Sequence, residues 1–209
     1  MDYDYACFIS YKRPPKPVYP SGVTPPKATK HIWLQFAEAF EEKLSPYLTT
    51  RIGIFRDEYL QPGIDYQKQI SQSLCRSVCM VALVVPEYFE SKWCVAEWLA
   101  MQDLEEKRLG RGKQELIIPV VCVGEFETLE NYLGTRLAKA FDIRNIVSPS
   151  RQLNTLTNLR KIEAIARMIN GLVNRIPVTP MSIDCSSFSV VSGSDDVTPK
   201  IEERSPFGQ

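Results

Sequence analysis

Short apolar runs alternate with segments of helical periodicity along most of this 209-residue chain. Residues 5–11 and 78–85 are apolar runs of the length that buried strands have, and Pro86 interrupts the second one. Between them, residues 32–44 repeat apolar side chains at helical spacing. Strands separated by helices pair in parallel, and the helices then cover both faces of the sheet. The sequence therefore predicts an α/β fold of three layers, with a mostly parallel central sheet flanked by helices.

The sequence predicts one domain that contains a proline-rich loop and is followed by a tail. We expect one domain over residues 1–176, where the strand and helix patterns lie. Within it, residues 12–30 are rich in proline, which disfavours helix and central strand and predicts a long loop. Residues 177–209 are rich in serine and contain proline, and we expect them to form a flexible tail.

The predicted order of elements is β-α-β-α-β-α-β, followed by a last helix. The fourth strand, at residues 116–123, contains Pro119, which is tolerated only near a sheet edge or a bulge. Residues 124–141 show no clear period, so we expect an irregular connection there. The last helix has a clean amphipathic pattern, and Gly171 and Pro177 are expected to help stop it.

The composition excludes several classes of function. Lys plus Arg and Asp plus Glu both number 25, so nothing indicates binding to nucleic acid or to an anionic membrane. The single histidine and the six cysteines without a CxxC pair disfavour a zinc site and a Ser-His relay. The acidic first residues do not read as a signal peptide. We therefore expect a cytoplasmic protein with reduced cysteines and no metal.

Residues 91–98 combine a carboxylate, two indoles and a thiol just after a predicted strand, in the sequence SKWCVAEW. Ligands of open α/β sheets bind at the carboxyl ends of the strands. Residues three and four apart share a helix face, so Trp93, Cys94 and Glu97 can line one wall. The alternative is an ordinary amphipathic helix in which Glu97 is solvated and the apolar side chains are core, namely Trp93, Cys94, Trp98 and Met101.

Three segments, taken in order, resemble the motifs of Toll/interleukin-1 receptor (TIR) domains. Residues 3–13 resemble the first box of the family, and residues 56–63 resemble the second box, the loop after the second strand. Residues 91–98 resemble the segment that carries the catalytic glutamate of enzymatic members, in a version similar to bacterial TIR proteins. The chain departs from the family in its long proline-rich first loop and in lacking the third box, a Phe-Trp pair.

The resemblance implies a flavodoxin-like sheet and cleavage of the nicotinamide–ribose bond of NAD⁺. The products would be nicotinamide with ADP-ribose or with a cyclic ADP-ribose isomer, in bacterial antiphage defence by NAD⁺ depletion or by second-messenger signalling. Such a cleavage expels neutral nicotinamide and leaves a ribosyl cation, which one carboxylate can stabilise. Glu97 is the predicted catalytic residue. No glycine-rich phosphate loop is present, so NAD⁺ is expected as a substrate and no cofactor is expected.

The resemblance also implies the remaining site residues. Basic residues at the end of the first strand suit the pyrophosphate of NAD⁺, and Trp93 could stack on one of its rings. The predicted substrate-binding residues are Ser10, Tyr11, Lys12, Arg13, Gln61, Ser91, Trp93 and Cys94. The predicted loop and assembly residues are Arg56, Asp57, Pro62 and Gly63. Among the latter, an ion pair or local hydrogen bonds of Arg56 and Asp57 would brace the loop.

Two other functions remain open at this point. The chain could be a TIR scaffold that binds partners through residues 56–66 without turning over NAD⁺, in which case Glu97 is not needed. It could also be a nucleoside-processing transferase, which would form a ribosyl adduct on Glu97. A phosphoreceiver is disfavoured because Asp2 and Asp4 precede the first strand.

Self-association and further partners follow from the resemblance alone. TIR enzymes are active when adjacent protomers complete the site, so we expect TIR–TIR contacts. A separate effector or sensor protein is a further expected partner.

Overall fold

The protein is described by a computed structural model over residues 3–12, 32–48, 52–56, 65–124, 126–143, 153–176 and 183–190. Strands and helices alternate in these segments, as the apolar pattern predicts. The strands are β1 (Tyr5–Tyr11), β2 (Gly53–Arg56), β3 (Ser77–Val84), β4 (Ile117–Val121) and β5 (Phe141–Asp142). The helices are α1 (Ile32–Leu44), α2 (Tyr66–Cys75), α3 (Lys92–Leu109), α4 (Phe126–Leu133) and α5 (Leu156–Arg175).

The strands form one five-stranded parallel sheet in the order β2-β1-β3-β4-β5. This order confirms the predicted flavodoxin-like fold. The chain leaves β1 for β2 on one side and returns to β3 on the other, so the direction of winding reverses between β1 and β3. There Ser10 of β1 lies opposite Ala82 of β3. Ligand sites of such sheets lie at this reversal, beyond the carboxyl ends of the strands.

The core lies between the sheet and two groups of helices. All eight residues of β3 are buried, as expected for a central parallel strand with both faces covered. Helices α1 and α5 contact one another, as do α2 and α3, and a helix of each pair contacts β1. Right-handed crossovers place α1 on one face and α2 and α3 on the other.

Residues 124–141 are not irregular, so that prediction is wrong. Helix α4 occupies the first part and ends at Leu133, just before Gly134, whose φ of 50° favours glycine. A 3-10 turn over Gly134–Lys139 leads into β5, which has only two residues. A two-residue strand is too short to produce a detectable period.

The structure shows where Pro119 and Gly171 lie within their strand and helix. Pro119 lies in β4, which is not an edge strand of the described sheet. Within the described segments, β5 pairs with Val120 and Val121 and not with Pro119, so the missing N–H of the proline breaks no bond to β5. Gly171 does not stop the last helix, because α5 continues through it to Arg175. One glycine costs about 1 kcal/mol relative to alanine, less than the burial of the apolar stripe of α5 contributes.

A disulfide joins Cys75, the last residue of α2, to Cys185, with the two Cα atoms 5.6 Å apart. The expectation of reduced cysteines is therefore wrong for this pair, whereas the buried cysteines 7, 79, 94 and 122 are free. Residues 183–190 belong to the segment expected to be a flexible tail, but here they lie against α2. Buried Val190 accepts a hydrogen bond from Gln67 at 2.9 Å and donates one to Ser71 at 2.8 Å.

Other predictions fall outside the described segments. The proline-rich loop lies beyond them except for Lys12, as do residues 177–182 and 191–209. None of the helices in the described segments is long and apolar enough to cross a bilayer.

Candidate active site

Three elements bring polar side chains together at the reversal between β1 and β3. Ser10 is the second-last residue of β1. Tyr88 ends a 3-10 turn (Pro86–Tyr88) that begins where Pro86 interrupts the extended chain after β3. Glu97 lies in the second turn of α3, which starts after Ser91, whose side chain accepts a hydrogen bond from the backbone N–H of Cys94 at 3.5 Å. Ser91 therefore has a capping role in this structure.

Glu97 is buried, with 5 % of its surface exposed. Ser10 Oγ donates a hydrogen bond to Glu97 Oε2 at 2.5 Å, and Tyr88 Oη lies 2.6 Å from Ser10 Oγ. The alternative in which Glu97 is a solvated surface residue is therefore wrong. A buried carboxylate is poorly screened by water, so its field acts strongly on nearby charge.

Tyr88 is fully buried, and this burial raises the pKa of its phenol well above the usual value of 10.0. The nearby Cys94 and Glu97 raise it further, whereas the hydrogen bond with Ser10 lowers it. The tyrosine therefore stays protonated at neutral pH. Sequence reasoning missed Tyr88, because a tyrosine after a strand and a proline reads as an ordinary core residue.

An exposed aromatic pair lies beside the buried carboxylate. Trp93 precedes Glu97 by one helical turn and is 36 % exposed, so it is not the core residue of the alternative interpretation. Its indole meets the ring of Tyr66 edge-on, with centroids 5.8 Å apart. Trp98 and Met101 on the same helix are core, as that interpretation expected. Trp93 and Tyr66 together provide an apolar surface next to Glu97.

Some of the other predicted site residues are buried or partly exposed, and the rest lie outside the described segments. Tyr11 is buried in β1, and Lys12 follows it with partial exposure. Cys94 is buried, with 2 % of its surface exposed, and lies outside the disulfide. The remaining ones, Arg13, Asp57, Gln61, Pro62 and Gly63, lie outside the described segments. Their roles stay predictions.

Arg56 ends β2 and is buried against α1. Its guanidinium lies 3.0 Å from a carboxylate oxygen of Glu41 and 3.7 Å from one of Glu38. The two glutamates are one turn apart on α1, so both can face the same arginine. These ion pairs tie β2 to α1 and are buried at the arginine. The predicted bracing of the loop by Arg56 and Asp57 stays a prediction, because Asp57 lies outside the described segments.

A second buried carboxylate on α3 has a different environment. Glu105 is paired with the guanidinium of Arg136 and accepts the backbone N–H groups of Glu115 and, at 2.6 Å, Leu116. The Arg136 guanidinium also lies 5.8 Å from the ring centre of Trp98. With its charge compensated in this way, Glu105 joins α3, β4 and the turn after α4 and has a structural role. Within the described segments, no cluster of His, Cys, Asp and Glu could hold a metal ion.

Comparison with known families agrees with the fold. The family model described as the TIR domain matches residues 33–157. The chain belongs to the TIR domain family. No curated protein matches it. The matched part of the TIR domain contains Tyr88 and Glu97, whereas Ser10 precedes it and enters the site because β1 pairs with β3.

Proposed function

We propose that this TIR domain cleaves the nicotinamide–ribose bond of NAD⁺, with Glu97 as the catalytic residue. The observation that carries the proposal is the buried Glu97 carboxylate, held by Ser10 at the reversal of winding between β1 and β3. The TIR domain family includes NAD⁺-cleaving enzymes and non-catalytic members, so membership alone does not decide between them. A carboxylate desolvated at the ligand-binding edge of the sheet favours the enzyme.

The chemistry follows from the charge of Glu97. When the bond breaks, its electron pair goes to the ring nitrogen and nicotinamide leaves as a neutral molecule. The ribosyl group is left as an oxocarbenium-like cation, which the carboxylate stabilises without having to reorient. Attack by water gives ADP-ribose and a proton, and attack by a nucleophile within the ADP-ribose itself gives a cyclic isomer.

The exposed groups around Glu97 suit the rest of the substrate. Trp93 and Tyr66 offer rings on which nicotinamide or adenine can pack. Lys12, at the end of β1, supplies positive charge at the edge where the pyrophosphate would lie, and Arg13 is its predicted partner. NAD⁺ is a substrate in this proposal, and no cofactor is required.

We further propose that the activity serves cytoplasmic bacterial antiphage defence, through NAD⁺ depletion or a cyclic messenger read by a separate effector. TIR domains commonly self-associate, and adjacent protomers would complete the site. Specific activity should therefore rise with protein concentration. Full activity in a monomer at nanomolar concentration would contradict the requirement for assembly.

The test is to incubate concentrated protein with NAD⁺ and to resolve nicotinamide and all ADP-ribose products by mass. Release of nicotinamide that disappears in Glu97→Ala supports the enzyme, and the product masses separate hydrolase from cyclase by one water. A stable ribosyl adduct on Glu97 would instead indicate a transferase. Absence of nicotinamide release from concentrated wild-type protein would contradict the proposal and favour the scaffold.

A further inference from the structure

We infer that Tyr88 is a positioning residue for Glu97 and that it acts through the hydroxyl of Ser10. The catalytic consequence of this inference rests on the proposed function. The hydrogen bonds on which the inference is based are independent of that function. Tyr88, Ser10 and Glu97 belong to the 3-10 turn after β3, to β1 and to α3, respectively. A continuous chain of hydrogen bonds therefore connects three elements at the site.

The direction of this chain follows from counting protons. A serine hydroxyl carries one proton, and an ionised carboxylate only accepts. Ser10 Oγ lies 2.5 Å from Glu97 Oε2, so its single proton is donated to the carboxylate. The contact of 2.6 Å between Ser10 and Tyr88 then requires Tyr88 to donate. Each hydroxyl polarises the next, which strengthens the bond to Oε2.

The ring of Tyr88 is held rigidly, so its hydroxyl has a fixed position. Phe89 and Trp98 pack against it edge-on, with centroids 5.1 Å and 6.3 Å away. These contacts involve only the ring, and phenylalanine could make them equally well. A buried hydroxyl is costly unless it forms a hydrogen bond. The hydroxyl of Tyr88 is therefore needed for the hydrogen bond with Ser10 and not for the packing of the ring.

A fixed Oε2 benefits the proposed reaction, because stabilisation of the ribosyl cation requires a carboxylate that is already oriented. Without the Tyr88 proton, the Ser10 oxygen loses the donor that fixes its position and polarises its own proton, so the hydrogen bond from Ser10 to Glu97 weakens. The carboxylate would then sample orientations that leave substrate binding intact but stabilise the transition state less well. This separates a positioning role from a binding role.

The experiment compares Tyr88→Phe, Ser10→Ala and the double variant, with Tyr3→Phe as the matched control. Tyr3 is also a buried tyrosine, and its hydroxyl has no hydrogen-bond partner among the described residues. We expect Tyr88→Phe to lower kcat by roughly tenfold to a hundredfold with KM unchanged. It should lower kcat no further when Ser10 is already alanine, and Tyr3→Phe should behave as wild type. A rise in KM alone, or additive effects of the two substitutions, would overturn the inference.

A second readout does not depend on activity. The ¹³C resonance of the Glu97 carboxyl carbon can be assigned by its loss in Glu97→Gln. Its chemical shift should change in Tyr88→Phe and should equal the wild-type value in Tyr3→Phe. The double variant should show the same chemical shift for this carbon as Ser10→Ala alone. If wild type releases no nicotinamide but the resonance moves as expected, the proposed function fails and the positioning of Glu97 stands. An unmoved resonance refutes the positioning whether or not the protein is an enzyme.

Discussion

Replacing Glu97 by glutamine removes the charge and keeps the shape of the side chain. The amide oxygen of glutamine can still accept the hydrogen bond from Ser10, so the fold should remain intact. Two opposite charges about 4 Å apart interact with about 1 kcal/mol in water, but with about 4 kcal/mol at the effective dielectric constant of a protein site. With 5 % of Glu97 exposed, the larger figure applies. Since about 1.4 kcal/mol is a factor of ten, we expect kcat to fall roughly a thousandfold.

The assay is the rate of nicotinamide release at saturating NAD⁺, measured beside the urea midpoint of each variant. Glu90→Gln is the matched control, because Glu90 is an exposed carboxylate just before α3. That control should keep wild-type activity and stability. A loss of less than tenfold in a stably folded Glu97→Gln protein would show that the carboxylate is screened as if it were in water. The electrostatic argument would then be refuted.

Three further predictions concern stability. Glu105→Gln leaves Arg136 without its counter-charge and should lower the free energy of unfolding by about 3 kcal/mol or more, whereas exposed Glu106→Gln should change the urea midpoint little. The disulfide closes a sequence separation of 110 residues, so its loss in Cys185→Ala should cost at most about 4–5 kcal/mol; a reductant should lower the Tm of wild type but not of this variant. Burial raises the pKa of the Cys79 thiol from its usual value of 9.0 to about 12. The stability that follows from burying the neutral thiol is therefore complete below the usual pKa and is lost by about 1.4 kcal/mol per pH unit as the pH rises towards the raised one. Urea midpoints between pH 9 and pH 11 should therefore fall less steeply in Cys79→Ala than in wild type.

Local pattern was enough to predict most of the sheet, because a buried parallel strand is mostly apolar. The run around Cys79 and the helix carrying Glu97 could be read from neighbouring residues alone. Strand β5 could not, since two residues have no period and their place is set by pairing with β4. Glycine 171 was misread for a related reason, because tertiary packing of α5 outweighs its low helix propensity.

The candidate site was harder to predict because its contacts join distant parts of the chain. Glu97 was predicted from the motif around it, but its hydrogen bond joins it to Ser10, 87 positions away. Tyr88 carries no motif, and only the structure shows that its hydroxyl lies 2.6 Å from Ser10 Oγ. The pairing of Cys75 with Cys185 is also absent from any local pattern, because both residues read as isolated cysteines without a partner motif.

That disulfide determines what happens to this protein when a protease cuts its backbone. The turn between α3 and β4 holds Arg111, whose side chain is 95 % exposed, and it lies between the two bonded cysteines. A trypsin-like protease that cuts after Arg111 would produce two peptides that remain tied through their sulfur atoms. The nicked protein would run as a single species on a non-reducing gel and as two after reduction. An oxidised chain thus remains one covalent molecule after a cut that divides the reduced chain in two.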